Sequence, residues 1–115
     1  MRSARRLLVQ VCQASGTAAR VVDVAELLVS ELVTNAVLHG RSRPRLTVTP
    51  TAGGGLSVGV GDDNSRLPVV REDDRDALDG RGLRLLDLLS SRWGVRPDPP
   101  GKVVWFELDP DAAVE

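Results

Sequence analysis

One change of hydrophobic period, midway along the chain, restricts the folds open to it. Residues 23–39 (DVAELLVSELVTNAVLH) carry Leu28, Leu32 and Val29, Val33, Ala36 on rows that face one side of a helix. Asp23 is a good N-cap residue with Glu26 three positions on, and Gly40 suits the C-cap. Directly afterwards, residues 45–51 (RLTVTPT) alternate polar and apolar, as a half-buried strand does. Residues 52–55 (AGGG) make a flexible turn, and residues 56–61 (LSVGVG) read as the partner strand. A helix that buries one face, followed by a hairpin, calls for helices layered on a sheet.

The flanking segments extend that order. Residues 2–14 place Leu7, Leu8, Val11 and Cys12 near one helical face, with Arg2, Arg5 and Arg6 elsewhere, and Gly16 ends the pattern. Residues 17–22 read as a connection. Residues 62–79 are acidic, poor in large apolar side chains and contain Pro68, which makes them a loop. Gly80, Arg81 and Gly82 open a third helix over residues 83–91. Residues 91–96 (SRWGVR) and 102–108 (KVVWFEL) are strands joined by a Pro/Gly turn, and residues 109–115 are a frayed tail. The expected fold is a two-layer α/β (α+β) sandwich, a mostly antiparallel mixed sheet with helices on one face. With 115 residues it fits one domain spanning 1–115.

Composition narrows the function. A net charge of −1 argues against non-specific nucleic-acid binding, which draws its affinity from a basic surplus, although a local basic patch is compatible with it. One cysteine and one histidine exclude an internal disulfide, a cysteine-cluster zinc site and a multi-histidine metal site. Apolar runs fall far short of a membrane span. The N-terminus is basic then apolar, somewhat like a signal peptide, but Gln10 and Gln13 interrupt it. It reads as an amphipathic helix of a cytoplasmic protein. Aromatics are only 3%, so Leu and Val must fill the core, and Trp93, Trp105 and Phe106 read as sheet packing.

Three features can carry chemistry. Glu31 and Asn35 lie one turn apart, so their side chains reach a common point. A carboxylate can take a proton or orient a water, and an amide oxygen is a hard ligand suited to Mg²⁺. The same pair also suits an ordinary solvated helix face. Asp62 ends an apolar strand, where binding residues often stand, but it also opens a run of turn formers. Gly80, Arg81 and Gly82 combine backbone freedom, helix-start amides and a guanidinium, all suited to phosphate, and equally suit a flexible loop with a solvated arginine. No Walker-type or G-x-G-x-x-G phosphate loop occurs. His39 beside Gly40 fits a structural place at a helix C-terminus, and Cys12 fits the core.

The order of these motifs is more specific than any one of them. Glu31-Leu-Val-Thr-Asn35-Ala, Asp62 with Pro68 six residues on, Gly80-Arg-Gly-Leu83, Trp93-Gly-Val and Gly101-Lys-Val-Val-Trp-Phe106 resemble the GHKL ATPase superfamily. The nearest resemblance is to short actinobacterial ATP-binding proteins related to anti-sigma-factor serine kinases. It extends from about Ser3 to Leu108 and implies the Bergerat fold. By motif position, Glu31 would be the general base, Asn35 would hold Mg²⁺, and Asp62 would accept a hydrogen bond from the adenine amino group. Gly80, Arg81, Gly82 and Leu83 would line the phosphates, residues 69–79 would be the ATP lid, and Gly101 and Lys102 would lie near the adenine end. The chain departs from the pattern where Asn64 replaces a glycine, in a short acidic lid, and in starting almost at the first helix. An absent N-terminal edge strand would leave a sheet edge as a dimer surface.

The resemblance implies ATP and Mg²⁺ as cofactors. It also implies a serine/threonine kinase acting on an anti-anti-sigma-type partner, with a sigma factor as the other partner. The alternative is a non-catalytic ATP-binding or protein-interaction module of the same fold. A histidine kinase fragment fits less well, because no dimerisation helix with a phosphoacceptor histidine precedes the motifs.

Overall fold

A computed structural model of the chain describes residues 2–39, 44–63 and 77–110. The elements run α1 (Arg2–Ser15), α2 (Ala19–His39), β1 (Arg45–Thr51), a short 3-10 turn (Ala52–Gly54), β2 (Gly55–Asp62), α3 (Ala77–Leu89), β3 (Arg92–Asp98) and β4 (Gly101–Leu108). The four strands form one sheet in the order β1-β2-β4-β3, and every neighbouring pair is antiparallel.

Strand alternation assigns the two faces of this sheet. Leu56, Val58 and Val60 of β2, with Val104, Phe106 and Leu108 of β4, point to the helix layer and are buried. Leu8 and Cys12 of α1, the Val21–Ala36 stripe of α2, and Leu83 and Leu86 of α3 complete the same core. Phe106, Leu28, Leu56 and Leu86 are fully enclosed, so the core rests on them. Helix α2 lies centrally, against α1 and α3 on its sides and β2 and β4 below.

The β1–β2 hairpin follows its sequence pattern, with Leu46 and Val48 turned inward and Arg45, Thr47 and Thr49 outward. α1 also ends where expected: Gly16 has φ 71°, and the Thr17 amide donates to the Cys12 carbonyl at 3.1 Å, closing the helix as left-handed caps do.

Several boundaries differ from expectation. α2 starts at Ala19, not near Asp23. The Ala18 amide donates to the Gly54 carbonyl at 3.2 Å, and the Val22 amide donates to the Ala18 carbonyl at 3.1 Å. Residues 19–22 are thereby wound into the first turn, Val21 is 1% exposed in the core, and Asp23 is left exposed within the helix. β2 runs on to include Asp62, because β4 pairs with it to the end. β3 takes in Pro97 and Asp98, which the sequence pattern assigns to the Pro/Gly turn. Proline is tolerated there because β3 is an edge strand.

The third helix is the largest difference. It begins at Ala77, so Gly80, Arg81 and Gly82 lie inside α3 and do not open it. Ala77, Leu78 and Asp79 extend the helix backward, and burial of Leu83 and Leu86 offsets the roughly 1 kcal/mol that each helical glycine costs relative to alanine. The helix closes at Leu89, where the Ser90 amide and hydroxyl both donate to the Leu86 carbonyl. Beyond β4, Asp109 is tied to β3 and the residue before it. It accepts two hydrogen bonds from Arg92 at 3.1 and 2.5 Å, and its amide donates to Ser91 Oγ at 2.9 Å. Residues 111–115 lie outside the described residues.

Among the described residues, no helix is long and apolar enough to cross a membrane.

Candidate functional site

Asp62 is the last residue of β2 and shares the helix-facing parity of Val58 and Val60. Its register partner is Lys102, the second residue of β4. Lys102 Nζ donates to Asp62 Oδ1 at 3.1 Å and to Oδ2 at 3.3 Å. Side-chain exposure is 10% for the lysine and 8% for the aspartate. A lone buried carboxylate would be strongly disfavoured, and the ammonium compensates it.

Gly101 makes the pairing possible. A Cβ at this position would sit 1.7 Å from the Asp62 carbonyl oxygen and 2.6 Å from the Asp63 Cα. The two backbones are thus in direct contact where β2 ends, and only a residue without a side chain fits. The exit of β2 is further held by Arg45, which donates to Asp63 Oδ1 at 3.1 Å and approaches Asp98 at 3.8 Å.

Glu31 and Asn35 stand one turn apart on α2, both half-buried, in the layer above the sheet. Leu32, Val33 and Ala36 on the same helix are in the core, so the backbone that carries the pair is anchored by packing. Asn35 Oδ1 is shielded from solvent. The two side chains offer hard oxygen donors, the chemistry Mg²⁺ prefers. Among the described residues no group of three or more His, Cys, Asp or Glu could hold a metal. Mg²⁺ commonly takes phosphate oxygens and water as ligands, so a cation at Asn35 would not need such a group.

The remaining expected site residues fall on α3, which packs beside α2. In a helix starting at Ala77, the amides from residue 80 onward belong to the internal ladder, so Gly80, Arg81 and Gly82 do not supply the free helix-start amides expected of them. Leu83 is 5% exposed and its side chain is taken up by the core. Of the lid read over residues 69–79, residues 69–76 lie outside the described residues and 77–79 are the first turn of α3. Asn64, Pro68 and Gly40 also lie outside them, as does the side chain of His39.

Cys12 is buried in the core, as expected. Burial pushes its thiol pKa up, a hydrogen bond with Thr17 opposes this, and Glu26 adds to the rise. That makes it a poor nucleophile. Trp93 is half-buried and its Nε1 donates to Asp87 Oδ1 at 3.2 Å, tying β3 to α3. A groove of about 360 Å³ between Arg45, Thr47, Thr49 and Trp105 opens on the other face of the sheet, away from the Asp62 carboxylate.

The residue that the sequence left without a role is Lys102. Its partner is 40 positions away, and no local pattern signals a pairing that depends on β4 inserting beside β2.

Comparison with known proteins agrees with this architecture. Two solved structures from Erythrobacter litoralis EL346 share the fold. One is a blue-light activated histidine kinase, with 23% identity, TM-score 0.60, and coverage of 82% of this chain and 34% of that one. The other is the histidine kinase domain of that blue-light activated kinase, with 23% identity, TM-score 0.59, and coverage of 94% and 63%. This chain thus spans less than two thirds of either. No curated protein sequence matches it. The sequence profile of the histidine kinase-like ATPase domain matches residues 1–108. Over nearly its whole length, then, the chain belongs to the histidine kinase-like ATPase domain family.

Proposed function

We propose that this protein binds Mg-ATP between the α2 pair Glu31–Asn35 and Asp62, and transfers the γ-phosphoryl group to a serine or threonine of a partner protein. The observation that carries the reading is Asp62: a buried carboxylate at the end of a central strand, facing the helix layer that bears Glu31 and Asn35. Ligands commonly settle where a strand leaves its sheet.

Asp62 would accept a hydrogen bond from the adenine amino group. Asn35 would hold the cation against the phosphates, and the Arg81 guanidinium would offset phosphate charge. Mg²⁺ bound there would neutralise charge on the phosphoryl oxygens. Glu31 would take the proton of the attacking hydroxyl as the new oxygen–phosphorus bond forms and the bond to the β-phosphate breaks, releasing ADP. The resemblance to anti-sigma-factor kinases supports an anti-anti-sigma-type protein as acceptor and a sigma factor as second partner.

The helical position of Arg81 and Gly82 favours a second reading, a non-catalytic ATP-binding module, since fewer free amides face the phosphates. Glu31→Gln separates the two. Normal ATP affinity with loss of transfer to the partner supports the kinase. Absence of transfer by the wild type with any candidate partner supports the binding module. Mg-ATP titration of the wild type beside Asn35→Ala and Asp62→Ala tests the site itself, and unchanged affinity in both variants would sink it.

A further inference from the structure

We infer that Lys102 is a positioning residue for base recognition: it holds the Asp62 carboxylate as an acceptor, so selection of a 6-amino purine depends on the pair and not on Asp62 alone. The inference rests on the proposed reading of Asp62 as the acceptor of the adenine amino group.

Three observations support it. Lys102 reaches both carboxylate oxygens, at 3.1 and 3.3 Å, which fixes the plane of the group as well as its charge. Both side chains are about nine-tenths buried, so water competes little for either. The backbones of Gly101 and Asp62 lie so close that no Cβ fits between them, which brings the two strands together beside the pair. Each carboxylate oxygen has two lone pairs, so an ammonium shared between them does not by itself exhaust either one. A carboxylate held in this way accepts from an amino group and opposes a carbonyl oxygen, which offers only lone pairs.

Without the ammonium, the buried carboxylate loses the contact that fixes its plane and is no longer held as an acceptor toward the base. Loss of Lys102 therefore lowers discrimination, not merely affinity. A purely structural lysine would weaken all nucleotides alike and leave their ratio unchanged.

The test compares binding of ATP and inosine triphosphate, which carries a 6-oxo group in place of the 6-amino group. It uses the full chain with Mg²⁺, by calorimetry, with folding checked by thermal unfolding. The wild type should prefer ATP by at least about tenfold, in the range of a buried polar group left mispaired. Lys102→Met should reduce that preference to about threefold or less, and Lys102→Arg, which keeps a cation in reach, should restore most of it. Should Lys102→Met fail to fold, Lys102→Gln is measured in the same way and should show the same loss. A wild-type preference that persists unchanged in the uncharged variants overturns the role of Lys102 and leaves the Asp62 assignment standing. A wild type that binds both nucleotides equally overturns the Asp62 assignment, and this inference with it.

Discussion

Lys102 and Asp62 face each other across the last rung of the β2–β4 ladder, and one lysine nitrogen serves both oxygens of one carboxylate. A buried pair of this kind is strong against loss of one partner and weak against replacement of both. Lys102→Met should destabilise the fold by about 3–5 kcal/mol, because it removes the ammonium that compensates a buried carboxylate. Adding Asp62→Leu should recover much of that loss, giving a clear non-additive cycle in urea unfolding. Simple addition of the two single effects would mean that the pair is not coupled.

Gly101→Ala should be the more damaging change, although it adds only one methyl group. The added carbon would meet backbone at 1.7 Å, and backbone cannot swing aside as a side chain does. We expect a loss of about 3 kcal/mol or more in chemical denaturation, near the upper end of overpacking effects. A near-neutral result would show that β4 can separate from Asp62 at its first residue.

Asn35→Ala should behave in the opposite way. Alanine is the better helix former, so stability should change by less than about 1 kcal/mol. ATP affinity measured with Mg²⁺ should fall about tenfold, whereas affinity measured with the cation chelated should hardly change. Equal losses under both conditions would remove the metal role from Asn35.

Cys12 gives a pH-dependent prediction. Its folded pKa lies above the usual 9.0, because burial disfavours the thiolate. Below 9.0 the thiol is neutral in both states and the native state keeps its full advantage. As pH rises through the folded value that advantage is lost, because the unfolded chain releases its proton first. Wild-type stability should therefore fall more steeply than that of Cys12→Ala above about pH 9, measured by urea unfolding. Alkylation of the native thiol at neutral pH should be slow, and fast labelling would contradict its burial.

Legibility from sequence divides along physical lines. β1 could be placed residue by residue because alternation is a local signal, and α1 ended at Gly16 because a left-handed cap is a one-residue requirement. The start of α2 was not legible. Asp23 satisfied the capping rule, yet burial of Val21 and the bond from Ala18 to Gly54 outweighed it. The glycines of α3 misled for the same reason. They suggested a break where packing of Leu83 and Leu86 sustains a helix.

The sequence by itself determined the layered α/β class and the spacing of Glu31 and Asn35, since both follow from periodicity along a continuous segment. The family resemblance, too, was legible from the order of the motifs. Only the tertiary structure decided the strand order β1-β2-β4-β3, and through it the pairing of Asp62 with Lys102. That pairing joins residues 40 positions apart. Its energy comes from shared burial in the sheet, which exists only once β4 has inserted between β2 and β3.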